Sequence, residues 1–179
     1  MRFESSTIAG VVIVRPEIFS DERGWFTEAF NASVFEQNGL PHSFVQDNQS
    51  FSRAGVLRGL HYQVGRPQGK LVRVLSGEIY DVAVDLRQNS STFGQWMGFR
   101  MSAERAEMVW IPEGFAHGFL VLSASAQVFY KVTDYYCPQE ERILRWDDPS
   151  LGIDWPITQS LVISQKDAAG STLREADLP

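Results

Sequence analysis

A chain of 179 residues is long enough to bury one proper core, and a single domain over residues 1–179 is expected. Its 44% hydrophobic and 21% charged residues are ordinary for a soluble globular protein, and a net charge of −6 argues against general binding of nucleic acid or anionic membrane, which needs a basic surface. One cysteine, Cys137, cannot form an intrachain disulfide and fits a reducing cytoplasm.

In chain order, the apolar run IAGVVIV (8–14) is too short for a membrane span and lacks a basic segment before it, so it reads as a strand. NASVFEQNG (31–39) reads as a short helix between a capping Asn31 and a terminating Gly39. KLVRVL (70–75), Ser76-Gly77 and EIYDVAVDL (78–86) read as two strands joined by a tight turn. In the second, Ile79, Asp81, Ala83 and Asp85 alternate with Tyr80, Val82, Val84 and Leu86, giving one mixed face and one apolar face. QWMGFRM (95–101), EMVWIP (107–112), HGFLVL (117–122) and AQVFYKVTDYY (126–136) continue the series. Gly, Pro and Ser separate them at short intervals, as in an antiparallel sandwich or barrel. SQKDAAGSTLREAD (164–177) opens with Ser164 and has Asp167 three residues on, a capping-box pattern that predicts a second helix. No repeat or low-complexity tract suggests a domain boundary.

The charge is unevenly spread. Between Asp47 and Glu78 there is no acid, while Arg53, Arg58, Arg66, Lys70 and Arg73 all fall there, which suits either a local anion site or a solvated basic loop. His61, in GVLRGLHYQ (55–63), lies within this segment. Small β-barrels of the cupin class bind metal through Gly, five residues and His-x-His, with a further His after Pro-x-Gly. Gly55 to Gln63 matches the first frame and Pro112 to His117 the second, but Gln63 replaces a histidine and a neutral amide is a poor ligand for transition metals. The remaining histidine, His42, lies far off in LPHSF, so no functional metal is expected. An acid–base role for His61 is the alternative to a space-filling one. With Arg58, Lys70 and Gln63 around it, such a base suits an anionic substrate that develops enolate charge.

The strings FVQDNQS, GVLRGLHYQ, QGKLVR, WIPEGFAHGF, FYKVTDYY and DPSLGIDWP…SQKD, in this order over nearly the whole chain, resemble the dTDP-4-dehydrorhamnose 3,5-epimerase family. The resemblance implies a mainly β, cupin-type jelly-roll barrel with an N-terminal strand extension and a few short helices, acting in the cytoplasm as a homodimer without cofactor or metal. It implies a dTDP-sugar substrate with a C4 ketone that acidifies the hydrogens on C3 and C5. On this reading His61 is the base, Tyr130 the opposing acid, Asp167 the partner of His61 and Lys70 the cation at the C4 enolate oxygen. Asp167 would equally suit a plain helix cap. Substrate contacts carry over to Arg23, Glu28, Gln46, Asp47, Asn48, Arg58, Gln63, His117, Tyr136, Glu141 and Lys166. Arg23 and Arg58 suit a diphosphate because guanidinium forks match phosphate oxygens.

Overall fold

Lys70–Ser76 and Glu78–Asp85 are both strands, β7 and β8, but they do not pair with each other. Gly77 between them takes φ +77, and a Cβ there would lie 2.1 Å from the Ser125 carbonyl oxygen. This turn is a corner at which the chain leaves one sheet and enters another. A Gly turn of this kind has the same local sequence whether the chain doubles back or crosses over.

The structure, a computed structural model, describes residues 1–158 and 160–179. A six-stranded sheet runs in the order β1 (Arg2–Ser5), β2 (Val12–Arg15), β10 (Met108–Ile111), β7, β12 (Ser125–Val132) and β5 (Gln46–Arg53). A five-stranded sheet runs β13 (Glu141–Ile143), β6 (Leu57–Gln63), β11 (Phe115–Val121), β8 and β9 (Trp96–Ser102). All of these strand pairs are antiparallel, and the two sheets pack as a jelly roll. A hairpin of β3 (Ile18–Asp21) and β4 (Gly24–Thr27) pairs with neither sheet. Two short helices complete the fold: α1 (Ala32–Gln37) and α2 (Gln165–Ala168).

Alternate side chains of each sheet meet in a shared core, with Val72 and Val74 of β7 against Ile79 and Ala83 of β8. The other face of β8 is not solvated. Val82, Val84 and Leu86 form a second core with Leu144, Leu151 and Trp155 from the C-terminal segment, which straps the outside of the five-stranded sheet. A third core packs α1 through Phe35 onto Val14, Leu71, Met108 and Trp110, the outer face of the six-stranded sheet.

α1 forms as expected, its Asn31 side chain accepting from the Ser33 and Val34 N–H groups and Gly39 taking φ +70. The second helix is much shorter than the 164–177 pattern predicts, because beyond Gly170 the chain bonds sideways instead: the Ser171 N–H donates to Ile143 O at 3.0 Å and the Ser171 carbonyl accepts from the Arg145 N–H at 2.8 Å. In the 8–14 run only Val12–Val14 lie in a strand, while Ile8 and Val11 are buried around a loop with Gly10 at φ +91. The strand predicted to reach Tyr136 ends at Val132.

Candidate active site

A cavity of about 150 Å³ lies between the sheets, with Arg58, His61 and Gln63 of β6 and His117 of β11 on one wall and Lys70 of β7 and Tyr130 of β12 on the other. Its placement depends on two glycines where β6 and β11 come closest. A Cβ on Gly59, at φ +107, would lie 2.6 Å from the His117 carbonyl oxygen and 2.7 Å from the Gly118 Cα. Nothing larger than hydrogen fits there, and the backbone contact puts His61 opposite His117 on one face of the sheet.

Each of these histidines is held by a buried carboxylate. His61 Nε2 bonds Asp167 Oδ1 at 2.7 Å, and His117 Nε2 bonds Asp81 Oδ1 at 2.8 Å. A carboxylate accepts, so Nε2 carries a proton in both rings. Asp167 reaches His61 across 106 positions of sequence. Ser164 Oγ caps α2 by accepting from the Asp167 N–H at 3.0 Å, and the carboxylate of the same residue turns to the histidine and to the Gly59 N–H at 3.4 Å. Burial pushes the Asp167 carboxyl up, but the bond and charge of His61, with Gly59, outweigh that and hold it below the usual carboxylate range.

Lys70 is only 7% exposed, and its Nζ donates to the His61 carbonyl at 3.1 Å. Burial lowers its ammonium to about 8, although the charges of Asp81 and Glu141 pull the other way. Burial raises the Tyr130 hydroxyl against the opposing effect of Arg58, so it stays protonated at neutral pH. Arg58 is tethered to β5 through its Nε, which donates to Ser52 Oγ at 2.9 Å. At the rim, Glu141 Oε2 accepts from the Tyr136 hydroxyl at 2.7 Å and from Lys166 Nζ. Burial alone would raise Glu141, but these two donors hold it low.

The remaining sequence candidates divide. Gln63 lines the cavity, yet its amide is committed to backbone: Nε2 donates to Arg66 O at 2.6 Å and Tyr135 O at 3.3 Å, and Oε1 accepts from the Cys137 N–H at 2.7 Å. It therefore ties two rim loops together, and the same bonds occupy the position a third cupin ligand would need. Gln46 and Asn48 share the face of β5 that brings Ser50 to the cavity, and Gln46 Oε1 accepts from the Tyr136 N–H at 3.0 Å. Asp47 alternates to the opposite face and pairs with Lys131 Nζ at 2.8 Å, so the structure does not bring it to the cavity. Arg23 and Glu28 lie on and just after the β3–β4 hairpin, Arg23 paired with Asp21 and Glu28 with Asn31 at 3.2 Å, and neither lines the cavity of its own chain.

Asp81, bonded to His117 behind the cavity wall, is not among the residues that the sequence singles out. Its sequence signal is an acid on an alternating strand face between Ile79 and Ala83; that the fold buries it completely is decided by the tertiary structure.

A family model described as dTDP-4-dehydrorhamnose 3,5-epimerase matches residues 5–175. A protein of that name from Methanothermobacter thermautotrophicus is 54% identical over 176 residues, spanning 97% of this chain and 95% of its own. The crystal structure of dTDP-6-deoxy-D-glucose-3,5-epimerase from Legionella pneumophila, in complex with dTDP-4-keto-L-rhamnose, superposes with a TM-score of 0.95 at 51% identity and covers 98% of this chain and 94% of its own. A 3′-monoepimerase from Streptomyces bikiniensis, in complex with dTDP-quinovose, superposes with a TM-score of 0.89 at 35% identity, over 94% of this chain and 86% of its own. A jelly roll with His61 bonded to Asp167 in its cavity, matched over nearly its full length, places the chain in the dTDP-4-dehydrorhamnose 3,5-epimerase family.

Proposed function

We propose that this protein epimerises C3 and C5 of dTDP-4-dehydro-6-deoxy-D-glucose to give dTDP-4-dehydro-L-rhamnose, using its own side chains as acid and base. The observation that carries the reading is the placement of His61 and Tyr130 on strands of opposite sheets, facing one cavity. Epimerisation removes a proton from one face of a carbon and returns one to the other, so base and acid must stand on opposite walls.

In this mechanism the free Nδ1 of His61 takes the proton α to the ketone, and Asp167 on Nε2 stabilises the imidazolium that forms. Charge moves to the C4 oxygen, where the Lys70 ammonium donates. The Tyr130 hydroxyl delivers a proton to the opposite face of the carbon. Arg58 serves the diphosphate, while Gln46, Asn48, His117, Tyr136, Glu141 and Lys166 orient the sugar and nucleotide.

We also read the chain as a homodimer acting in the cytoplasm. Trp25 and Phe26 on the β3–β4 hairpin are 59% and 69% exposed, beside Phe19 and Ile18, an apolar surface that suits a second copy. On that reading Arg23 and Glu28, which do not reach their own cavity, extend toward the partner's.

Proton NMR of the substrate with enzyme in deuterium oxide tests the chemistry. Deuterium entering both C3 and C5 is expected. Exchange at one carbon alone would assign the chain to the monoepimerases, which share the fold.

A further inference from the structure

We propose that Asp81 is a positioning residue that keeps the buried Lys70 ammonium charged while holding the His117 ring in place. This rests on the role given to Lys70 above.

Asp81 is fully buried on β8. One oxygen bonds His117 Nε2 at 2.8 Å, and the other, Oδ2, is buried with no hydrogen-bond partner among the described residues. A buried carboxylate left half-satisfied is costly, and a structure retains one only where its charge is compensated or used. Lys70 faces the complementary difficulty. It is an almost completely buried cation, and among the described residues it forms no ion pair within 4.0 Å. Its one hydrogen bond goes to the His61 carbonyl.

Two carboxylates act on Lys70, Asp81 of β8 and Glu141 of β13. Asp81 stands behind His117 on the strand face whose Ile79 and Ala83 meet Val72 of β7 between the sheets. Glu141 lines the cavity with Lys70, together with His61, Arg58 and Tyr62 of β6, His117 of β11, Tyr130 of β12 and Tyr136. Glu141 is already shared by Lys166 and Tyr136. Asp81 is the stronger of the two influences that favour the charged amine.

The absence of direct contact matters chemically. An ammonium has three donors. A carboxylate bonded to Nζ would occupy one and neutralise the charge meant for the substrate. A carboxylate set back behind His117 acts through its field alone, leaving two N–H donors for an enolate oxygen.

The test is Asp81→Asn, which removes the charge and keeps an acceptor for His117 Nε2–H. The chain has three lysines, Lys70, Lys131 and Lys166, so ¹³C NMR of lysine-labelled protein gives a short spectrum in which Lys70→Met identifies the Lys70 signal. The Lys70 midpoint should fall below the wild-type value of about 8. The alkaline limb of kcat/KM should move down by the same interval, with activity near wild type recovered at lower pH. Asp81→Glu should restore both midpoint and limb. An unchanged Lys70 midpoint overturns the proposal whatever happens to the rate. A lowered midpoint with an unmoved rate profile supports the electrostatic assignment but overturns the role given to Lys70. Asp81→Ser, read in the same way, serves if the Asn variant does not fold.

Discussion

In the proposed mechanism, His61, Asp167 and Lys70 are where single side chains decide the chemistry. Removing the base with His61→Ala should lower kcat by roughly 10²–10⁴-fold, read as the rate of solvent deuterium entering the substrate. Asp167→Asn keeps the geometry, but its amide can donate to Nε2 and so push the ring proton onto Nδ1, leaving no lone pair for the sugar. A loss of about the same order is expected. Lys70 links activity and stability with opposite signs. It must be charged to serve the enolate, so kcat/KM should fall as pH rises through about 8. The folded state, however, holds the ammonium less well than the unfolded chain, whose value is 10.5. Between these values the unfolded state binds more protons, so the stability lost to the buried charge returns as pH rises across that window. Below it the penalty is fully present, and Lys70→Met should stabilise the protein at pH 7 by about 3 kcal/mol while impairing catalysis. Denaturant unfolding at pH 7 and above pH 10.5 checks this, since the gain should vanish at the higher pH.

At the scale of the element, the β6–β11 contact is the tightest constraint on the site. Gly59→Ala would force its methyl to within 2.6 Å of the His117 carbonyl, in a backbone region side chains avoid. The strands must part, and a cost of about 3 kcal/mol or more is expected, measured as a fall in Tm. Gln63→Leu is a milder case. It strands the Cys137 N–H and two carbonyls near the rim, at about 1–3 kcal/mol for each group left dry, and it loosens the loop that carries Tyr136. A rise in KM larger than the fall in kcat is the expected signature. Elements also differ in how far their sequence announces them. α1 was legible because Asn31 and Gly39 act locally as start and stop signals. β5, reading QDNQSFSR, is not legible as a strand, because its pairing with β12 comes from a partner about 80 positions away and its inward residues Gln46, Asn48, Ser50 and Ser52 are all polar. α2 shows the same principle from the other side: a local capping signal predicted fourteen residues of helix, and the bonds of Ser171 to the chain around Leu144 ended it after four.

For the whole molecule, the C-terminal strap is what completes the site. It covers Val82, Val84 and Leu86, reaches Tyr62 through the bond from its hydroxyl to Asp177 O at 2.9 Å, and delivers Asp167 to His61 on the way. The exposed hairpin is the other feature that only the complete fold reveals. On the homodimer reading, Trp25→Arg with Phe26→Ser should shift the protein to monomer in light scattering while leaving its circular dichroism unchanged. If Arg23 and Glu28 serve a partner's cavity, activity should fall with the dimer. The sequence by itself determined the strand-rich class, the first helix and, through GVLRGLHYQ, QGK and FYK, the residues proposed as base, cation and acid, since these rest on local pattern and resemblance. Only the tertiary structure decided that β7 and β8 enter different sheets, that Asp47 turns away, that Gln63 serves the backbone, and that Asp81 and Asp167 each take a histidine. The physical reason is that a hydrogen bond or a buried charge depends on distance in space, and alternation along a strand says which face a side chain takes without saying what will stand opposite it.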